Sequence, residues 1–319
     1  MMPSPMWIAG WHIGGAPLAY LIETTPMSSN LTPQEGTSMS TFDTPRPISA
    51  TIDLVIGDVR ISAGDRDATV VDVHPSDASN EEDCKAAELT RVEYANDQLL
   101  VKAPKLRSWL SRSGGGSIDV TIVLPAGSHV HGALGAADLH CDGRLGTCRI
   151  KTGLGHIRLD RADTLSLKIG TGDISVDRVT GNAEVTAGSG DVRLRELDGS
   201  AVIKNSNGDT WIGVARGDLR LSAANGSIAV DLAHASVGAK SANGDVRLGE
   251  VVRGTVGLET QIGDLEVGIR EGTAAWLDVS ATAGKVHNAL EAADAPGPSA
   301  ETVEVRARTA LGEILIRRP

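Results

Sequence analysis

Residues 172–194 read GDISVDRVTGNAEVTAGSGDVRL, and they hold one full circuit of a repeat that decides the fold. Gly172-Asp173 is followed by Ile174 and Val176, and 18 residues later Gly190-Asp191 is followed by Val192 and Leu194. The block returns at Gly208, Gly226, Gly244 and Gly263. An early copy is Gly57-Asp58-Val59-Arg60-Ile61, and a late one is Gly312-Glu313-Ile314-Leu315-Ile316. A fixed period of this length marks a repeat architecture in which each unit leans on its neighbours.

Two positions after the glycine the residue is aliphatic in nearly every copy, and so it is two further on, as in Val192 and Leu194 or Val246 and Leu248. The position between them holds Arg158, Ser175, Arg193, Trp211, Ala229, Arg247 and Glu266. Alternation of this kind is a strand with one buried face. A second strand precedes the glycine, with inward positions seven and five residues before it, such as Leu165 and Leu167 or Leu219 and Leu221. Each coil therefore carries two short strands and two turns. The turns have a mechanism: Asn207-Gly208, Asn225-Gly226 and Asn243-Gly244 tolerate the positive φ of a tight corner. Successive coils are expected to stack in parallel register at about 4.8 Å, each giving about four or five inward aliphatics.

The ends depart from the period. The interval grows from 18 to 19, then 21, then 28 before the last block, and residues 291–301 read as an inserted outer loop. After the early copy, Ser79-Asn80-Glu81-Glu82 opens a short helix to about Leu89. Val92–Tyr94 and Leu99–Lys102 form a hairpin around Asn96-Asp97. Residues 105–117 are a basic, Gly/Ser-rich loop, and Ile118–Leu124 leads into the array. The expected organisation is a leader or mis-assigned start over 1–38, a first coil with a capping section over 39–117, and the solenoid over 118–319. The capping section would cover a strand edge that otherwise templates aggregation.

Composition agrees with an all-β parallel β-solenoid of about eight to ten coils with a small α+β cap. One Phe, two Tyr and five Trp leave the core to Val, Ile, Leu and Ala. A net charge of −11, with acids and bases interleaved along the chain, offers no basic footprint for nucleic acid. Cys84, Cys141 and Cys148 lack CxxC spacing and read as reduced thiols, which points to the cytoplasm. Residues 6–22 are apolar but contain His12 and Pro17 and have no basic residue before them, so a membrane partner is not expected. Should they act as anchor or signal, the chain is instead membrane-associated or exported.

The GDV/I-x-V/L series, the opening TIDLVIGDVRI and the entry SIDVTIVLPAGS resemble the bacterial β-strand-repeat family of putative adhesins, over roughly residues 40–317. The resemblance implies a β-solenoid and an adhesin-like role, and carries no established reaction or catalytic residue.

Chemistry must then come from what faces outward. The column Asp173, Asp191, Asp209, Asp245 and Asp264 invites a calcium reading, yet one Asp per 18 residues supplies half the ligands of a calcium β-roll. The register sends Cys141 and Cys148 inward and His140 outward, so four ligands cannot converge on zinc. No nucleophile–base pair, Walker loop or dinucleotide fingerprint is present, and no cofactor, metal or catalytic residue is assigned. Arg158, Arg193, Trp211 and Arg247 form a candidate outer partner strip with an aromatic platform, and Arg107, Trp109 and Arg112 a candidate loop contact. The reading is a non-catalytic, adhesin-like interaction or scaffold module for a protein or glycan partner. Its rivals are a filament built by end-to-end self-association and a polysaccharide-binding or polysaccharide-cleaving β-helix.

Overall fold

Glycine marks the corner in nearly every coil, because it turns the strand sharply at a fixed column. The computed structural model of the chain describes residues 38–104, 116–291 and 301–319. The strand Ala183–Ser189 ends at Gly190, which turns with φ 127°, and Val192–Leu197 continues the circuit. Ala183, Val185, Ala187, Val192, Leu194 and Leu197 all point inward and are buried. Between Leu194 and Leu197 two residues face out, so the second strand bends and the coil has three sides. Ile174, Val192 and Thr210 stand in register, as do Leu165, Ala183 and Ala201. Backbone groups at the corner pair along the stack too: the Gly190 N–H donates to the Asn207 carbonyl at 2.8 Å.

Six inward positions per coil exceed the four or five expected. The added columns lie three residues before the corner glycine and seven after it. The first holds Ala187 but also Asn205, Ser241, Thr260 and Thr309, all buried. These polar side chains are not misplaced. Asn205 Nδ2 donates to the Gly190 and Gly208 carbonyls at 3.0 and 2.9 Å. Ser241 Oγ reaches the Gly226 carbonyl at 3.2 Å, and Thr260 and Thr309 Oγ1 reach those of Gly244 and Gly263 at 3.0 Å. A buried polar group is cheap only when paired, and the sharp corner supplies the partner for the Asn205 amide nitrogen and for the three hydroxyls. Around them each buried Val, Leu or Ile contributes about 1.5–3 kcal/mol.

The expected stacking of coils in sequence order is corrected at both ends. Among the described residues, corner positions follow one another in space as Gly57, Ala137, Gly155, Gly172, Gly190, Gly208, Gly226, Gly244, Gly263, Gly312 and Gly284, with Ile118 stacked on the outer side of Gly57. The last coil, Thr302–Arg317, therefore lies between the coil containing Gly263 and the one containing Gly284. Gly254–Ile262 pairs with Thr302–Leu311, which pairs in turn with Ala274–Ala283, all parallel. The other end mirrors this. Ser49–Gly64 is flanked on one side by His129–Leu154 and on the other by Gln98–Lys102 and Ile118–Pro125. Periodicity reports which column a residue occupies; it does not report which coil becomes its neighbour.

Antiparallel strands close the end nearest Gly57. Ser38–Asp43 pairs with Ala68–Pro75, which pairs with Ile118–Pro125. The hairpin Arg91–Ala95/Gln98–Lys102 turns at Asn96 and Asp97, whose φ of 52° and 58° suit a type I′ turn. The helix Glu81–Glu88 is capped by Asn80, whose side chain accepts from the Glu82 N–H at 2.9 Å. Phe42 and Tyr94 meet with ring centroids 5.2 Å apart. Among the described residues the far end is barer. Ala275, Leu277, Val279 and Ala281 on its outermost strand are only partly buried, and Trp276 is 57% exposed.

Candidate functional site: the corner ridge and the outer strip

The Asp column lines the outside of the Gly corner, where backbone N–H groups lack a strand partner. Each carboxylate fills that need in the next coil. Asp173 Oδ1 accepts from the Asp191 N–H at 2.8 Å, Asp191 from Asp209 at 3.0 Å, and Asp209 from Ser227 at 2.8 Å. Asp264 accepts from Glu313 at 2.7 Å, following the spatial order of coils, not the sequence order. His156 sits in the same column and does the same work: its Nδ1 accepts from the Asp173 N–H at 3.1 Å, while Asp138 accepts from the His156 N–H at 2.6 Å. One oxygen of each of these carboxylates is thus committed to the fold.

Repulsion builds where three of these acids stand together. Asp119, Asp58 and Asp138 share a register across adjacent coils. Desolvation, then the neighbouring Asp119 and Asp138 charges, raise the Asp58 carboxyl above its ordinary value. A raised acid makes its ionised form a cost to folding. The cost is absent at low pH and appears as pH rises through the window above the ordinary carboxylate value. Asp58→Asn keeps an acceptor oxygen and removes the charge. It is expected to raise the melting temperature at neutral pH, with the gain vanishing in acid where Asp58 is itself protonated. A variant less stable than the parent at neutral pH would show that repulsion is not the controlling effect.

Arg158, Arg193, Trp211 and Arg247 fall in one outward column, with Ser175 and Ala229 between them. Five coil steps separate the outer two, about 24 Å at ~4.8 Å per step. Arg193 Nη2 donates to Asp191 Oδ2 at 2.7 Å, and Arg247 Nε lies 3.2 Å from Glu266 Oε2. Trp211 Nε1 donates to Asp231 Oδ1 at 3.2 Å, and the ring reaches over Gly213, where an added Cβ would stand 3.2 Å from it. Arg158 is the exposed cation of the column that has no ion pair among the described residues. The result is an indole held by Asp231 beside Gly213 and bordered by guanidinium and carboxylate groups. Arg107, Trp109 and Arg112 lie outside the described residues.

The thiols and imidazoles serve the fold. Cys141 and Cys148 are buried, and burial pushes the Cys148 thiol up to about 12 and that of Cys141 well above its usual value. His129 Nδ1 accepts from the Thr147 N–H at 2.9 Å, and His140 Nε2 lies 3.0 Å from Asp142 Oδ1. Among the described residues no three His, Cys, Asp or Glu side chains gather as a metal site. A groove of 920 Å³ lies at the bare end, beside Trp276, where Arg253 Nη1 stands 3.7 Å from Glu301 Oε1.

A repeat-built β-solenoid is the class this fold defines. The chain belongs to the Toastrack DUF4097 family, whose sequence profile matches residues 50–316. Among solved structures it is similar to a putative adhesin from Parabacteroides merdae, at 13% identity over 74% of this chain and 97% of that one, with a TM-score of 0.45. It is also similar to a putative adhesin from Bacteroides fragilis, at 9% identity over 89% and 98% of the two chains, TM-score 0.30. A putative lipid binding protein from Parabacteroides distasonis matches at 9% identity over 90% and 98%, TM-score 0.40. No curated protein matches the sequence.

Proposed function

We propose that this chain is a non-catalytic, adhesin-like interaction module that presents rigid outward columns to a partner. The observation that carries the reading is the unbroken aliphatic core, which runs from Ile48 to Ile316 and holds each outward residue at a fixed coil spacing. Sites on regular strands are held more precisely than sites on loops, and rigidity lowers the entropic cost of binding. On this reading the Trp211 platform with Arg158 is a contact surface. Immobilised parent protein should retain partners from the native extract that a Trp211→Ala/Arg158→Ala variant releases. Failure of the parent to retain anything would overturn the module reading.

The bare end supports a second reading, self-association. The strand Ala274–Ala283 carries Asp278 as its one charged residue, and Asp278 is paired with Arg308 at 3.4 Å, so the usual charged defence of an edge is thin. The opposite end is covered by antiparallel strands, so two copies would meet tail to tail and stop at a dimer. Sedimentation at rising concentration is expected to plateau at twice the monomer mass. Continued growth in mass would favour filaments, and a strict monomer would remove both.

A further inference from the structure

Charges that alternate along the sequence are sorted by the coil onto different faces. The strand face before the corner glycine has outward columns six and four residues ahead of it. The nearer column runs Lys151, Lys168, Thr186, Lys204, Ser222 and Lys240 in continuous parallel register. The farther column adds Arg149 and Arg220. Over these coils the two columns carry six cations against a single carboxylate, Glu184, although the whole chain has a net charge of −11. Lys240 pairs with Glu259 at 2.7 Å, while Arg149, Lys151, Lys168, Lys204 and Arg220 take part in no ion pair among the described residues. All are exposed.

We propose that this face binds a linear acidic polysaccharide in which charged and neutral sugars alternate, lying along the solenoid axis. The proposal rests on the interaction-module reading but uses a different face from the Trp211 strip. The order of the nearer column carries it. From Lys168 onward a lysine alternates with a hydroxyl residue, so cations recur every second coil, about 9.6 Å apart at ~4.8 Å per coil. An extended pyranose chain advances by close to one coil height per sugar. Each anionic sugar then meets a lysine and each neutral one meets Thr186 or Ser222. Beside Lys151, Lys168 and Thr186 the neighbouring column is Gly153, Gly170 and Gly188, and beside Lys204, Ser222 and Lys240 it is the small Ser206, Ala224 and Ala242, so a sugar ring can rest close to backbone along the row.

Other polyanions fit less well. Nucleic acid and polyphosphate carry charge at every unit, and the face has no aromatic side chain on which bases could stack. A broad anionic membrane would also meet the Asp173–Asp191–Asp209 ridge, which lies around the next corner on the same coils. A narrow chain avoids it. Acidic polysaccharides are met outside the cell, so the proposal goes with the exported alternative read from residues 6–22.

The test uses the full chain and hyaluronan oligosaccharides, whose charged and neutral sugars alternate. Binding is expected at about 50 mM salt and should weaken at about 200 mM, since counterions are released. Lys168→Thr/Lys204→Thr/Lys240→Thr uses a residue the column already tolerates at Thr186. It is expected to lower affinity about tenfold or more with an unchanged melting temperature. Glu184→Lys should tighten binding severalfold, a gain that misfolding cannot imitate. Undiminished binding by the triple variant, or no gain with Glu184→Lys, overturns the proposal. So does tighter binding of polyphosphate, oligo(dT), fully charged polygalacturonate or anionic phospholipid vesicles. If hyaluronan does not bind while extract partners are still held through Trp211, this proposal alone falls; if neither is held, the module reading falls with it.

Discussion

Val305→Asp is expected to unfold the C-terminal coils, whereas Leu277→Asp, in the same column of the neighbouring coil, is expected to be tolerated. Val305 is 0% exposed and stands in register between Val256 and Leu277, so a carboxylate there is buried with no partner. Changes of that kind cost about 4 kcal/mol or more. Leu277 belongs to the outermost coil and is only partly buried, so an aspartate there can turn to water at a cost of about 1–2 kcal/mol. Urea unfolding measures the difference, and hydrogen exchange locates it. Protection should be lost across Gly254–Ile269 in the Val305 variant and persist there in the Leu277 variant. Coils stacked in sequence order would place Val305 at the end and reverse the ranking; that ranking would refute the intercalated last coil.

Gly226→Ala is expected to cost about 3 kcal/mol or more, against almost nothing for Gly257→Ala. At Gly226 φ is 141°, a conformation costly for an L-residue by about 1–3 kcal/mol. An added Cβ would also stand 2.1 Å from the Gly208 carbonyl oxygen, a backbone atom of the adjacent coil that cannot step aside alone. Relief requires the two coils to separate, which breaks ladder bonds such as Gly208 N–H to the Asn225 carbonyl at 2.9 Å. Gly257 lies on a strand with nothing within 4 Å of an added Cβ, so alanine there should shift stability by less than about 0.5 kcal/mol. Denaturation midpoints at equal slope decide it. Equal midpoints for the two variants would mean that the corner is softer than its geometry implies.

Much of this architecture was legible because a buried face repeats itself in every coil. Ile174, Val192, Ile228 and Val246 announce an inward column, and the Asn-Gly corners announce where it turns. Two further inward columns were harder to see. One contains Asn205, Ser241, Thr260 and Thr309, whose polarity looks like an outward face until the corner carbonyl they serve is located. The Asp column was correctly read as the exterior of a corner, but its bond to the next coil's N–H joins residues 18 or more apart. The outer strip was traced by register, yet that Asp191 would hold Arg193 and Glu266 would hold Arg247 depends on side-chain directions.

By itself the sequence determined the coil: its length, four of its six inward columns, its glycine corners and the hairpin that turns at Asn96 and Asp97. Those are local properties, set by side-chain period and by φ at single residues. Tertiary structure alone decided which coils touch. It slotted Thr302–Arg317 in before the coil that precedes it in the chain, and Ser49–Gly64 between strands that both follow it. It also turned an interleaved charge pattern into a basic face and an acidic ridge. The reason is the same in both cases. A repeat makes every coil an acceptable neighbour for every other, so the choice among them, and the surface that results, is settled only when the whole stack closes.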